Sequence, residues 1–192
     1  MLQDFGRIIE TDVVAVGGSG AGITAAVYAA RAGARVALVS KGKIGVSGNA
    51  IMAGGGFGVD GESGKNLLHL DFADPSFTKE RLFDCIVKES FYLADQNMVR
   101  QYVDDGPIVM KDYLGWAERA GQDFFCCPPA NWIASGLSFT KALVQGLKET
   151  AGIQTFEDMM IVEVLTNEKT VCGAVGIDIY TGEAVLFRTK AV

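Results

Sequence analysis

The feature that most constrains this chain is residues 11–41, TDVVAVGGSGAGITAAVYAARAGARVALVSK, in which eighteen successive residues between Asp12 and Arg31 carry no charge. That length is close to the minimum for a membrane span, and the Gly18-x-x-x-Gly22 spacing would suit a helix–helix contact. A single helix would have to absorb four glycines and a serine between Gly17 and Gly22, each glycine costing roughly 1 kcal/mol relative to alanine. No aromatic belt or lysine asymmetry flanks the run. The run is better divided in two. Residues 12–16 are short, β-branched and continuous, as a strand buried on both faces should be. Residues 23–32 are alanine-rich, as a helix packed on a sheet should be, and Gly33 suits the position just past its end. Residues 35–39 form a second buried strand. The spacing predicts a right-handed βαβ unit over 11–41.

Within that unit the glycines acquire roles. In G-x-G-x-x-G the first glycine makes the tight turn, the second lets backbone approach a pyrophosphate, and the third lets helix pack on strand. The free N–H groups of the helix N-terminus face the phosphates. Gly17 is the first and Gly22 the third; Ser19 replaces the second, between Gly18, Gly20 and Ala21. After the second strand, where an acid usually meets the ribose hydroxyls, stand Ser40 and Lys41. That departure weakens an NAD reading more than a flavin one; a plain capped strand end is the other reading of the pair.

Composition adds three limits. Glycine reaches 24 residues against 4 prolines, a density that destabilises unless backbone must turn or approach something. The formal charge is −6 with no Lys/Arg cluster, which argues against nucleic acid as a partner. The four cysteines form no C-x-x-C pair, so neither zinc nor an iron–sulfur cluster is indicated; Cys126-Cys127 reads as two small residues beside a loop rather than a redox pair. The start MLQDFGRIIE carries no secretory signature, so a cytoplasmic location with reduced thiols is expected. His69, the single histidine, has no partner at motif spacing and reads as a packed or surface residue.

The stretch from Asp12 to Gly58, above all the glycine loop together with SGNAIMAGGG, resembles the FAD-binding domain of the fumarate reductase and succinate dehydrogenase flavoprotein superfamily. The resemblance implies an α/β, Rossmann-like FAD/NAD(P)-binding fold: a parallel sheet, an appended antiparallel three-stranded meander and inserted helices. It places Ser47, Gly48, Asn49, Ala53, Gly54 and Gly55 along the flavin, and Met160 and Ile161 at the adenine. Bare backbone at Gly54-Gly55-Gly56 agrees with close approach to a flat ring. Gly48 stands where membrane-bound members carry the histidine that attaches FAD covalently, so non-covalent FAD is expected.

The expected layout runs from the βαβ unit through a flavin-side glycine-rich loop (42–64) and a helical insertion (77–121) of three helices, broken at Asp105-Gly106-Pro107. An irregular loop (122–137) follows, then helix, strand and meander (138–192). In that insertion Tyr113 and Trp116 read as core or interface residues. The resemblance stops before the substrate-capping domain, so no catalytic or metal-binding residue is assigned, and the chain reads as the N-terminal portion of a longer oxidoreductase, a fragment, truncated product or split subunit. It would retain flavin weakly or not at all. The implied reaction moves hydride between FAD and a C=C or C–C substrate. The implied partners are a small-molecule substrate of the full-length parent and an iron–sulfur or haem electron-transfer subunit. That partner would also provide any peripheral contact with the membrane, since no transmembrane segment is read. The competing readings are a non-catalytic flavoprotein-like subunit of a redox complex and an NAD-dependent dehydrogenase.

Overall fold

The computed structural model describes residues 6–129 and 131–192. Ala130, in the expected loop, and the first five residues, part of the start read above as lacking a leader, lie outside the described residues. The chain divides into two compact units, one made of residues 1–53 and 143–192 and the other of residues 54–142. In chain order the first unit holds β1 (Arg7–Glu10), β2 (Val13–Val16), α1 (Gly20–Arg31), β3 (Val36–Val39) and a short 3-10 turn (Asn49–Met52). The second holds β4 (Gly54–Gly58), α2 (Gly61–Asn66), α3 (Lys79–Glu89), α4 (Gln96–Arg119), β5 (Phe125–Cys127) and β6 (Asn131–Ser135). The division falls within α5 (Gly136–Glu149), after which β7 (Ile153–Phe156), β8 (Met159–Asn167), β9 (Thr170–Asp178) and β10 (Ala184–Arg188) complete the first unit.

The first unit contains two sheets. One is parallel, in the order β2-β3-β7, and its strands are short apolar runs. Val36, Ala37, Leu38 and Val39 are all buried, as a central parallel strand requires. Helix α1 lays Ile23, Ala26 and Val27 on this sheet, and just past its cap Gly33 takes the left-handed conformation (φ 91°) that favours glycine. The other sheet has the order β1-β10-β9-β8; β8, β9 and β10 form the antiparallel meander. The two sheets share one core, in which Val14, Val39 and Phe156 meet Met159, Ala174, Val185 and Phe187.

A strand absent from the expected layout closes the second sheet. Arg7–Glu10 pairs in parallel with β10, residue Arg7 opposite Val185 and Glu10 opposite Arg188. Just beyond it, Asp12 accepts from the Arg35 side chain and backbone amide, each at 3.1 Å, and from Lys190 Nζ at 3.0 Å. The Arg35 side chain first, then its backbone amide and Lys190, hold the Asp12 carboxyl well below the usual carboxylate value of 3.8. A depressed folded-state value stabilises the fold above the unfolded pKa and loses that contribution as pH falls toward the folded one. Asp12→Asn is therefore expected to melt below the parent at neutral pH, modestly because the partners are solvent-screened. The gap should shrink steadily as pH drops from about 4 to about 2.5; thermal melts showing the same gap at both ends would contradict this role.

The second unit departs most from expectation. The insertion contains one helix from Gln96 to Arg119 where two were expected, and Pro107 lies inside it. Val99, Val103, Pro107, Met110, Tyr113 and Trp116 fall on one buried face, and that continuous burial outweighs the roughly 3 kcal/mol cost of an interior proline. Tyr113 and Trp116 are core residues, in an aromatic cluster with Phe57 and Phe139. The stretch expected to be irregular from 122 to 137 instead carries β5, β6 and the first turn of α5. Both strands belong to an antiparallel sheet of order β4-β6-β5, which supplies the glycine-rich β4 with a ladder partner. Cys126 lies in β5, where burial pushes its thiol pKa up, the opposite of an activated nucleophile. His69 is exposed, in left-handed backbone at φ 57°.

Candidate functional site

The glycine loop folds as its spacing requires, each residue for a different reason. Gly17, at φ 111°, turns the chain out of β2, and its amide is fastened to the Val39 carbonyl at the end of β3 (2.8 Å). A Cβ at Gly22 would overlap the Gly17 carbonyl oxygen, so helix and strand approach only because Gly22 has none. Ser19 sits in extended backbone (φ −117°) that any residue adopts, which explains why the middle glycine is dispensable here. Gly18 has a role that spacing did not suggest. A Cβ there would lie 2.7 Å from Ser40 Oγ and 2.9 Å from Ile44 Cγ1.

Helix α1 starts at Gly20, three residues earlier than expected, so Gly20, Ala21 and Gly22 form its first turn. Its ladder opens with Ile23 donating to the Ser19 carbonyl (2.9 Å), which leaves the amides of those three residues without helix partners. The Ser19 side chain caps none of them, and no acidic side chain stands in the first turn. Three outward amides, the positive end of a helix dipole and a surface without side-chain bulk fit a pyrophosphate.

Around this loop the first unit gathers part of the expected set. Ser40 is buried; its hydroxyl accepts from the Gly42 amide (3.4 Å) and its carbonyl from the Met159 amide (2.9 Å). Ser40 thus closes the strand end and ties the start of β8 to it, with Met160 and Ile161 next in line and partly exposed. Lys41 is exposed. Ser47 folds back so that its hydroxyl donates to the Lys43 carbonyl (2.7 Å). Gly48, at φ 93°, would place a Cβ in open space. Asn49 opens the 3-10 turn, and the segment from Val46 to Ala53 is largely exposed, with Val46 and Met52 at 60% and 86%. Gly54 and Gly55 belong to the other unit, in β4, where a Cβ would meet nothing within 4 Å at the first and only the Ala134 carbonyl at the second (3.9 Å). Gly48, Gly54 and Gly55 thus each present bare backbone with room where a side chain would stand.

Five residues escaped sequence reasoning. Lys43 Nζ lies 3.0 Å from Glu157 Oε2 and 2.6 Å from Asp158 Oδ2, Glu157 Oε1 accepts from the Ile44 amide (2.9 Å), and Gly45 donates to the Gly18 carbonyl (2.9 Å). An acidic doublet directly after a predicted strand was the only available signal. Among the described residues no group of three His, Cys, Asp or Glu side chains is placed to hold a metal, and no helix is long and apolar enough to cross a membrane.

Comparison with known proteins supplies the family. The sequence profile of the FAD binding domain family matches residues 12–136. The fumarate reductase (CoM/CoB) of Methanothermobacter marburgensis has a subunit that is 26% identical over 203 residues, covering 96% of this chain and 34% of the relative. Among solved structures, the quinol fumarate reductase of E. coli superposes with a TM-score of 0.76 at 22% identity, over 97% of this chain and 33% of that one. The adenylylsulfate reductase of Archaeoglobus fulgidus gives 0.74 at 21% identity, over 97% and 30%. The chain thus spans about a third of the length of the curated relative it matches, and the structural likenesses establish the fold.

Proposed function

The chain belongs to the FAD binding domain family, whose profile covers more than half of it, and from that premise we propose that it is the N-terminal, FAD-holding portion of a fumarate reductase or succinate dehydrogenase type oxidoreductase. The observation that carries the reading is the turn at Gly17–Gly22, where the first three amides of α1 lack helix partners and the missing Cβ of Gly22 lets the helix pack against the Gly17 carbonyl. In this reading the amides of Gly20, Ala21 and Gly22, with Gly17, Gly18 and Ser19, hold the pyrophosphate. Ser40 and Lys41 flank the adenosine ribose, and the backbone of Met160 and Ile161 meets the adenine. Ser47, Gly48, Asn49, Ala53, Gly54 and Gly55 lie along the flavin and its ribityl chain. FAD held there supplies hydride chemistry on a C=C or C–C bond; the chain's own contribution is binding and orientation. The substrate-capping residues belong to other parts of the parent enzyme. The methanogen relative is itself one subunit of a reductase, which supports a partner protein here. An iron–sulfur or haem protein is the electron carrier we propose, with a cytoplasmic location.

FAD is held without a covalent bond, because Gly48 offers no nucleophilic side chain. Titration with FAD, ADP and NAD, followed by thermal melting, tests the site. Stabilisation by FAD is expected, reaching about 2.7 kcal/mol at a hundredfold excess over Kd. Acid precipitation should release all bound flavin. Stabilisation by NAD alone, or flavin that stays with the denatured protein, would overturn the assignment.

A further inference from the structure

Glu157 and Asp158 form the turn between β7 and β8, and the Asp158 carboxylate reaches a loop 115 residues away along the chain. Both carboxylate oxygens of Glu157 are engaged. Oε2 pairs with Lys43 Nζ (3.0 Å) and Oε1 accepts from the Ile44 amide (2.9 Å). Asp158 adds the second carboxylate on Lys43 (2.6 Å) and is itself held in left-handed backbone at φ 56°, its carbonyl accepting from the Ile179 amide (2.9 Å). Local strain of this kind persists only where surrounding contacts impose it.

The next residue passes the constraint on. Gly45 donates to the Gly18 carbonyl (2.9 Å), and Ile44 packs where Gly18 lacks a Cβ. The peptide unit is planar, so fixing the Gly18 carbonyl oxygen fixes the Ser19 N–H on its opposite side. That amide leads directly into the outward amides of α1. Lys43, neutralised by two carboxylates, is thereby occupied as a structural cation and not as a phosphate ligand.

We propose that Glu157, assisted by Asp158, is a positioning residue for the phosphate loop, acting through Lys43 and the Ile44 amide to set the Gly18–Ser19 peptide for the cofactor's pyrophosphate. This rests on the FAD reading above. The cluster is tight enough that Asp158 first, and then Glu157, push the Lys43 ammonium well above its usual range, as opposite charges in contact require.

The test compares the parent chain with Glu157→Ala, Glu157→Gln and Lys43→Met. It measures FAD affinity by flavin fluorescence well below each variant's melting temperature, and amide hydrogen exchange at Ile44 and Gly45. Glu157→Ala is expected to weaken FAD binding by roughly tenfold or more, the scale of a lost charge-assisted hydrogen bond, and to accelerate exchange at both amides. Glu157→Gln keeps an acceptor for Ile44 and should restore most of the affinity. Lys43→Met, which leaves the Ile44 bond in place, should fall between. A merely stabilising role would lower melting and leave affinity in the folded state unchanged. Parental affinity in both Glu157→Ala and Lys43→Met overturns the inference alone; if Glu157→Ala does not fold, parental affinity in Lys43→Met does so. A parent chain that does not bind FAD overturns the cofactor reading and the inference with it.

Discussion

Gly22→Val is expected to eliminate FAD binding by this chain and to lower its stability by roughly 3 kcal/mol, the upper end for overpacking a tight contact. A single Cβ at this position already overlaps the Gly17 carbonyl oxygen. Neither neighbour can retreat. Gly17 is tied to the Val39 carbonyl, and α1 is seated through Ile23, Ala26 and Val27, each fully buried. The helix must therefore lift from the strand, carrying its first-turn amides away from the turn. Ser19→Gly is the contrast. Its backbone is extended, so restoring the usual glycine should change affinity little. The two variants separate close packing from glycine content, and flavin titration with chemical denaturation reads both. Parental binding by Gly22→Val would show that α1 does not set the phosphate site.

The second large effect lies in the shared core. Phe187 is fully buried and packs edge-on against Phe156, with ring centroids 5.1 Å apart. Room for it is made by Gly176, where a Cβ would come within 3.0 Å of the ring and 2.8 Å of Met159 Sδ. Phe187→Ala is expected to cost roughly 3–5 kcal/mol. Because this ring sits where the parallel sheet meets the meander, the loss should appear as one cooperative transition moved to lower denaturant. A loss below about 1 kcal/mol in equilibrium unfolding would mean that the two sheets do not depend on this core.

The parts of the fold that were legible in the sequence share one property: their signals are local. Residues 12–39 place two continuous apolar runs about one glycine-punctuated helix, and the structure has β2, α1 and β3 there. The meander was marked by polar turns after β8 and β9. What escaped was decided at a distance. Four residues, Arg-Ile-Ile-Glu, make no recognisable strand until β10 lies beside them. Gly-Gly-Gly-Phe-Gly reads as loop because glycine disfavours strands, yet β6 gives it a full ladder. Pro107 reads as a break because its cost is local, whereas the burial that outweighs it is spread along α4. The candidate site divides in the same way. The turn, approach and packing roles of Gly17 to Gly22 could be read from spacing, but the acidic doublet behind Lys43 could not.

The pairing of β1 with β10 also has a consequence in time. The first of the described strands to leave the ribosome hydrogen-bonds to the last of them, through Arg7 opposite Val185 and an ion pair from Glu10 to Arg188. At roughly 5–20 residues per second, translation separates these partners by on the order of ten seconds or more. Throughout that interval Ile8 and Ile9 have no ladder to join, and the Asp12 clasp lacks Lys190. The nascent chain therefore carries β1 unpaired while β2, α1 and β3 are already able to assemble. Until β10 is made, the edge that β1 would complete stays open to misassociation, and a chaperone that covers Ile8 and Ile9 would act in that interval.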